Sequence, residues 1–326
     1  MSMIMKLANY HSYLKYVKIY QKKYFSDHSH DWETMYRNIG KFAGHPLIKA
    51  DEVHRKIHDS IISGNPFMYG RFGSIEIAVI GFWLANDKAR LSKHFNMLCN
   101  NAGFFPFNIE LIPKFVDIMI DSMGNVDYQG VFAYVQTESY CVRRCMPASV
   151  ITSPFPYIQP WYTEHPWTRA LKGKKVLIIH PFEETIRSQY TKRHLLFGNQ
   201  DILPEFELRT LKAVQSIGGG CTQRFTDWFE ALEYMHLQSR RLDFDVAIIG
   251  CGAYGYPLAA KIKADGKQAI NMSGATQLLF GIKGKAWERP GAVNDTVRAL
   301  FNEHWVRPSA EETPTVADTV DGGAYW

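Results

Sequence analysis

Two short apolar runs limit the folds open to this chain more than any other feature. Val176-Leu177-Ile178-Ile179 is unbroken by polar residues, and Phe244-Asp245-Val246-Ala247-Ile248-Ile249-Gly250 carries a second such run. Strands without polar alternation are covered on both faces, as in parallel sheets. Each run leads into a helix-like stretch, from Glu183 and from about residue 256. The unit recurs. A helix over 50–63, with Val53, Ile57, Ile61 and Ile62 on one side, precedes a strand over Phe67–Phe72 and a helix from Ser74. A helix over 108–123 precedes a strand over Gly130–Val135 and a helix from Glu138. Ile202–Thr210 reads as extended, 226–238 as helix, Gln268–Met272 as strand and Gly274 onward as helix. The alternation predicts an α/β fold, a doubly wound, mostly parallel sheet with helices on both faces. Such sheets bind ligands at the C-terminal ends of their strands. The candidate loops are then 70–76, 136–140, 180–185, 250–256 and 271–275.

Length divides the 326 residues into a helical extension over 1–50, a main domain over 51–305 and a tail over 306–326. The tail lacks periodicity, and its Tyr325-Trp326 pair is expected to dock back onto the body. Hydrophobic residues make up 46% and charged residues 21%, as in soluble proteins with a sizeable core. A net charge of +5 suits an anionic ligand or an anionic membrane surface. It is too weak for nucleic acid, and no nucleic-acid motif is present. No run of about 18 apolar residues exists, and the first residues lack an apolar core followed by a small-residue cleavage site. A cytoplasmic location follows as the expectation. Cys99, Cys141, Cys145, Cys221 and Cys251 form no CxxC pair and read as reduced thiols.

Residues 5–25 repeat Tyr10, Tyr13, Leu14, Val17, Tyr20 and Tyr24 at helical spacing, with Lys6, Lys15, Lys18, Lys22 and Lys23 beside them. Two readings stand. This helix lies on the inner face of a membrane as a peripheral contact. Alternatively it packs its tyrosines on the domain or on another subunit of a homo-oligomer, the weightier reading for a face with so few greasy residues.

The richest segment for chemistry is Tyr69-Gly70-Arg71-Phe72-Gly73-Ser74-Ile75-Glu76. It joins a strand to a helix, whose free N–H groups and dipole favour anions. Gly70 and Gly73 allow a tight turn. Ser74 reads as the N-cap, and Arg71 can grip a phosphate. The bland readings are a surface ion pair for Arg71 and dipole compensation for Glu76. A second loop, Gly250-Cys251-Gly252-Ala253-Tyr254-Gly255, matches G-x-G-x-x-G between a strand and a helix. The acid expected about 20 residues later is absent, because the next strand ends Asn271-Met272-Ser273. It reads either as a backbone that approaches a phosphate or sugar, or as a tight turn with close helix packing. At the third loop His180 is a candidate phosphate partner, and Glu183 or Glu184 a base or a first-turn helix residue. The stretch 147–168 holds five prolines and many aromatics. It reads as an ordered loop near a site or as a packed connector.

Together these loops resemble the GT-D fold glycosyltransferases of bacterial surface-polysaccharide assembly. That family ends a strand in an Arg-aromatic-Gly-Asp-Gly-Glu type of segment, matched here by Arg71 to Glu76. Pro181-Phe182, Ile186 and Gln189 match a later segment, and Gly250 to Gly255 a glycine-rich loop. The resemblance spans roughly 55–285 and implies a Rossmann-like domain. It also implies transfer of a sugar (hexosyltransferase type), from a nucleotide-diphosphate donor, UDP-sugar first, onto a saccharide or lipid-linked saccharide in O-antigen, capsule or exopolysaccharide synthesis. Arg71 and Glu76 are then catalytic. Gly73, Ser74, His180, Gly250, Gly252, Tyr254, Gly255 and Ser273 bind the donor. The aromatics near Trp161 and Trp167 meet acceptor sugar. The family's Asp-x-Glu implies a Mn²⁺ or Mg²⁺ ion, but it reads Ser74-Ile75-Glu76 here and leaves Glu76 as the one candidate ligand. The alternatives are an NAD(P)-dependent oxidoreductase using Gly250 to Gly255, and a non-catalytic nucleotide-binding scaffold.

Overall fold

The structure, a computed structural model, describes residues 40–132, 136–218 and 224–326. The basic helix expected over 5–25 and Cys221 lie outside the described residues. A small antiparallel pair, β1 (Lys41–Phe42) and β2 (His45–Pro46), opens the described chain. Then follow α1 (Ala50–Ser63), β3 (Phe67–Arg71), α2 (Ser74–Leu84), α3 (Lys88–Ala102), α4 (Ile112–Met123), β4 (Tyr128–Val131), α5 (Gln136–Arg144), β5 (Ile151–Pro154) and β6 (Lys175–His180). The second half holds α6 (Glu183–Tyr190), α7 (Arg193–Leu196), β7 (Glu207–Lys212), α8 (Trp228–Ser239), β8 (Val246–Ile249), α9 (Gly255–Ala264), β9 (Gln268–Asn271), α10 (Ala275–Leu279), α11 (Lys285–Glu288) and α12 (Ala292–Arg298).

Seven strands form one sheet in the order β5-β4-β3-β9-β8-β6-β7, every pair parallel. Strand alternation divides the core between the two faces. Met68, Leu177, Ile179, Ala247, Ile249 and Ala269 face one cluster with α2, α3, α4, α8 and α9. Phe67, Tyr69, Val176, Ile178, Val246, Ile248 and Ile270 face the other, with α1, α6 and α10. The doubly wound parallel sheet expected from the apolar runs is therefore present.

The differences from the sequence reading have local causes. Strand β4 begins two residues before Gly130, because Asp127 starts the pairing: its carboxylate accepts from Met68 N at 2.8 Å and meets Lys263 Nζ at 2.6 Å. The proline-rich middle hides the edge strand β5, which ends at Pro154. Proline is tolerated there because an edge strand leaves one row of N–H groups unused. Beyond β5 the chain runs as short 3₁₀ turns. Trp167 is 0% exposed and donates Nε1–H to Ile158 O at 2.7 Å, while its own N–H reaches His54 Nδ1. It is core, so it cannot stack on a sugar without unpacking. The tail docks as expected: Val320 and Trp326 join the second core cluster.

Trp167→Ala removes a fully buried ring and its hydrogen bond. The expected loss is about 3–5 kcal/mol of unfolding free energy, read by urea denaturation.

Candidate active site

The ends of β6 and β8 create the site. The chain leaves β6 toward β7 and leaves β8 toward β9, in opposite directions along the sheet. This is a topological switch point, where the two departing loops separate and leave a crevice. A cleft opens there, lined by residues of both loops and of the turn after β9. His180, Gly250, Gly252, Tyr254 and Ser273 all line it. Arg71, Gly73, Ser74, Glu76 and Gly255 do not line it.

His180 ends β6 and is 4% exposed. Its Nδ1 accepts from Phe182 N at 3.0 Å, which places the proton on Nε2. Burial pulls its pKa down to about 3, so the ring is neutral and offers one N–H donor. The glycine loop owes its composition to packing. A methyl at Gly250 would stand 2.6 Å from Ser273 O and 2.7 Å from His180 Cδ2. Gly252 has φ of 57° and sits 2.9 Å from Ala102 O at the same test point. At Gly255 the neighbour is the Asn271 side chain, at 2.6 Å. Tyr254 is 1% exposed, stacks on Trp228 at 5.1 Å and bonds Ser216 Oγ at 2.8 Å. The motif is thus a tight strand-to-helix turn, with Gly250 and Gly252 bringing bare backbone to the cavity. Ser273, at φ 53°, holds a left-handed conformation rare outside glycine.

No Asp, Glu, Lys or Arg is among the described residues lining the cavity. Its walls are apolar or neutral: Phe182, Ile217 and Trp326 against Asn101, Gln215 and Gln277.

The charge lies one strand away. Strand β3 pairs with β9, and Asn271 Nδ2 donates to Arg71 O at 3.0 Å. The Arg71 guanidinium stands 5.2 Å from the ring centres of both Phe132 and Phe155, which pack on each other at 4.5 Å. Its Nε is buried without a partner, and among the described residues no carboxylate pairs with it. The surface ion pair considered for Arg71 is not what forms. Glu138, 0% exposed, accepts from Phe132 N at 2.8 Å and so holds one of the two rings.

Gly73, not Ser74, is the N-cap of α2, and Ser74 is exposed at its first position. Glu76 is the third helical residue and is 7% exposed. Its carboxyl lies over Gly73, whose missing Cβ would fall 2.0 Å from it. Burial raises its pKa, while its own backbone N–H and Arg71 pull the other way. Among the described residues no group of three or more His, Cys, Asp or Glu could hold a metal ion. A single carboxylate turned onto its own helix does not fit a Mn²⁺ or Mg²⁺ site.

The two glutamates after His180 are structural. Glu183 accepts from Thr210 Oγ1 at 2.6 Å and Arg187 Nη2 at 3.0 Å, and exposed Glu184 meets Arg187 at 3.5 Å. The α6 N-terminus is filled by Glu312, whose carboxylate takes Glu184 N at 2.7 Å and Thr185 N at 3.1 Å. Sequence reading missed Phe132, Asn101, Gln215 and Glu312, and placed Glu138 and Phe155 only within the candidate loop 136–140 and the aromatic stretch 147–168.

No family model matches the chain, and no curated protein matches it. Two solved structures resemble it. One is described as "Selenomethionine substituted structure of domain of unknown function 1792 (DUF1792)", at 14% identity and a TM-score of 0.39, covering 70% of this chain and 83% of that one. The other is described as "The highly conserved domain of unknown function 1792 has a distinct glycosyltransferase fold", at the same identity and score, covering 69% and 82%. No helix among the described residues is long and apolar enough to cross a membrane.

Acid should weaken the fold through two buried histidines. His54 is lowered to about 4 by burial, as His180 is to about 3. Both folded values lie below the unfolded 6.5, so the unfolded chain binds more protons in between, and stability falls as pH drops below about 6.5. At pH 5 each histidine removes about 2 kcal/mol. Glu76, raised by burial, acts in the opposite sense. Urea unfolding from pH 8 to pH 5 should show the fall, and His54→Gln should remove close to half of the slope.

Proposed function

We propose that the chain is a glycosyltransferase that moves a sugar from a nucleotide-diphosphate donor to a saccharide acceptor. The observation that carries this reading is the separation of an uncharged cavity at the switch point from an unpaired guanidinium on the neighbouring strand. A neutral nucleoside suits the cavity, where the His180 Nε2–H and the amide side chains supply directional bonds. A diphosphate does not suit it, since a buried dianion without a counter-charge is costly. Arg71, at the end of the adjoining strand β3, offers that counter-charge.

In this reading the acceptor hydroxyl attacks the anomeric carbon. The bond from that carbon to the diphosphate oxygen breaks, and the electron pair leaves with the diphosphate. Arg71 offsets the growing charge. Glu76 takes the acceptor proton, and burial, which raises its pKa, makes it a stronger base than an ordinary carboxylate. No step runs through a metal ion. A UDP-sugar is the first donor to try, and a lipid-linked saccharide of bacterial surface polysaccharide the first acceptor. Asn271 stands where a dinucleotide site needs an acid, and its side chain is engaged by Arg71 O and Ser273 N. That geometry disfavours the oxidoreductase alternative.

Thermal shift with UDP-, GDP- and CMP-sugars beside NADH and NADPH tests the assignment. Stabilisation by a sugar nucleotide is expected, and a shift with NADH alone would overturn it. Binding without any transfer to saccharide acceptors, with or without EDTA, would leave a scaffold. Glu76→Gln keeps a side chain suited to the third helical position, so the unfolding midpoint should hold. Its turnover should drop by about 10²-fold or more, the scale of general-base catalysis. Near-normal turnover would reduce Glu76 to a helix cap.

A further inference from the structure

Tyr325 reaches the site from about 250 residues beyond Arg71 in the chain, and the proposed mechanism has not used it. Three successive residues, Asp321, Gly322 and Gly323, hold φ of 49°, 67° and 78°. A left-handed run of this kind reverses the chain, and it is rare for Asp outside a constrained turn. Asn101 Nδ2 donates to the Asp321 carboxylate and helps fix the turn. Downstream, Ala286 N donates to Ala324 O at 2.9 Å and Gln277 Nε2 to Tyr325 O at 3.1 Å. Arg307 Nη1 donates to Trp326 O at 2.7 Å. The six residues from Asp321 to Trp326 are therefore held in one course.

The ring of Tyr325 is placed as firmly. Gly274 leaves room for it, since a methyl there would lie 2.9 Å from Tyr325 Cε1. Trp287 meets it edge-on at 5.8 Å and Trp326 at 6.0 Å. Tyr325 lines the uncharged cavity. The charges of Arg71, Asp321 and Glu76 all act on its phenol. Its hydroxyl has no hydrogen-bond partner among the described residues, although its backbone oxygen does. Burial holds the phenol above its ordinary pKa, which leaves it protonated and able to donate at neutral pH.

We propose that Tyr325 is a ligand-contacting residue of this site, its hydroxyl donating a hydrogen bond to a diphosphate oxygen of the bound nucleotide. The inference rests on the glycosyltransferase reading for the identity of the ligand. The donor's neutral part would lie in the cavity, its diphosphate between Tyr325 and Arg71.

Tyr325→Phe removes one oxygen and keeps the ring against Gly274 and Trp287. Calorimetric titration of the full chain with UDP and with uridine, and with GDP and guanosine, separates the contact from packing. The expected result is a loss of about 3- to 10-fold in diphosphate affinity, the worth of one net hydrogen bond. Nucleoside affinity and the unfolding midpoint should be unchanged. Equal weakening of nucleotide and nucleoside, or no weakening of either, overturns the proposal while the glycosyltransferase reading stands. If the wild-type chain binds none of these nucleotides, that reading falls and the proposal with it.

Discussion

The pairing of Ile249 in β8 with Ile179 in β6 on one side and with Asn271 in β9 on the other is the constraint on which the site depends. It places His180, Gly250 and the 271–274 turn at one height on the sheet edge. Gly250 N then bonds Ile179 O at 2.9 Å, and Met272 N and Ser273 N both bond Ile249 O at 3.1 Å. A slip of one residue would turn every side chain of β8 to the opposite face. The apolar cores on both faces oppose such a slip. Core packing and site geometry are therefore fixed by the same hydrogen bonds.

That register explains how much of the site could be read from the chain itself. His180 and the Gly250–Gly255 loop were legible because an apolar run announces a buried strand and the residue after it must stand at the edge. The cavity collected His180, Gly250, Gly252, Tyr254 and Ser273 for this reason. The role of Tyr254 was not legible, since stacking on Trp228 depends on a helix that arrives from elsewhere in the chain. Nor was β5, whose terminal Pro154 and proline-rich surroundings look like loop until the edge position excuses them. Glu312 gives no signal at all. In sequence it is one of two adjacent acids in a polar tail, and only the fold brings it, buried, to the α6 N-terminus.

The Arg71 segment shows the same division. Its turn and helix start were readable from glycine spacing, but the neighbours of Arg71 were not. Phe132 and Phe155 follow two other strands, and parallel pairing of β3 with β4 and of β4 with β5 lines them up beside it. Aromatic faces favour a cation by about 0.5–2 kcal/mol. They stabilise the guanidinium in place without neutralising it, as a carboxylate would. An arginine held this way keeps its full charge for an incoming anion.

The anion sites of the sheet edge are consequently not equivalent. At the α6 N-terminus two amides and the Thr185 hydroxyl already serve Glu312. At the α2 N-terminus the Glu76 carboxyl lies over the cap residue. At both helix ends a carboxyl of the chain itself already occupies the position an anion would take. Arg71, by contrast, has no carboxylate within ion-pair distance among the described residues, although Glu76 acts on it from further away. In the proposed reading, a ligand with a neutral body and an anionic end has one favourable orientation, with its body in the cavity beside His180 and its charge toward β3. The opposite orientation would bury a charge among neutral walls and leave the guanidinium in contact with a group that cannot answer it.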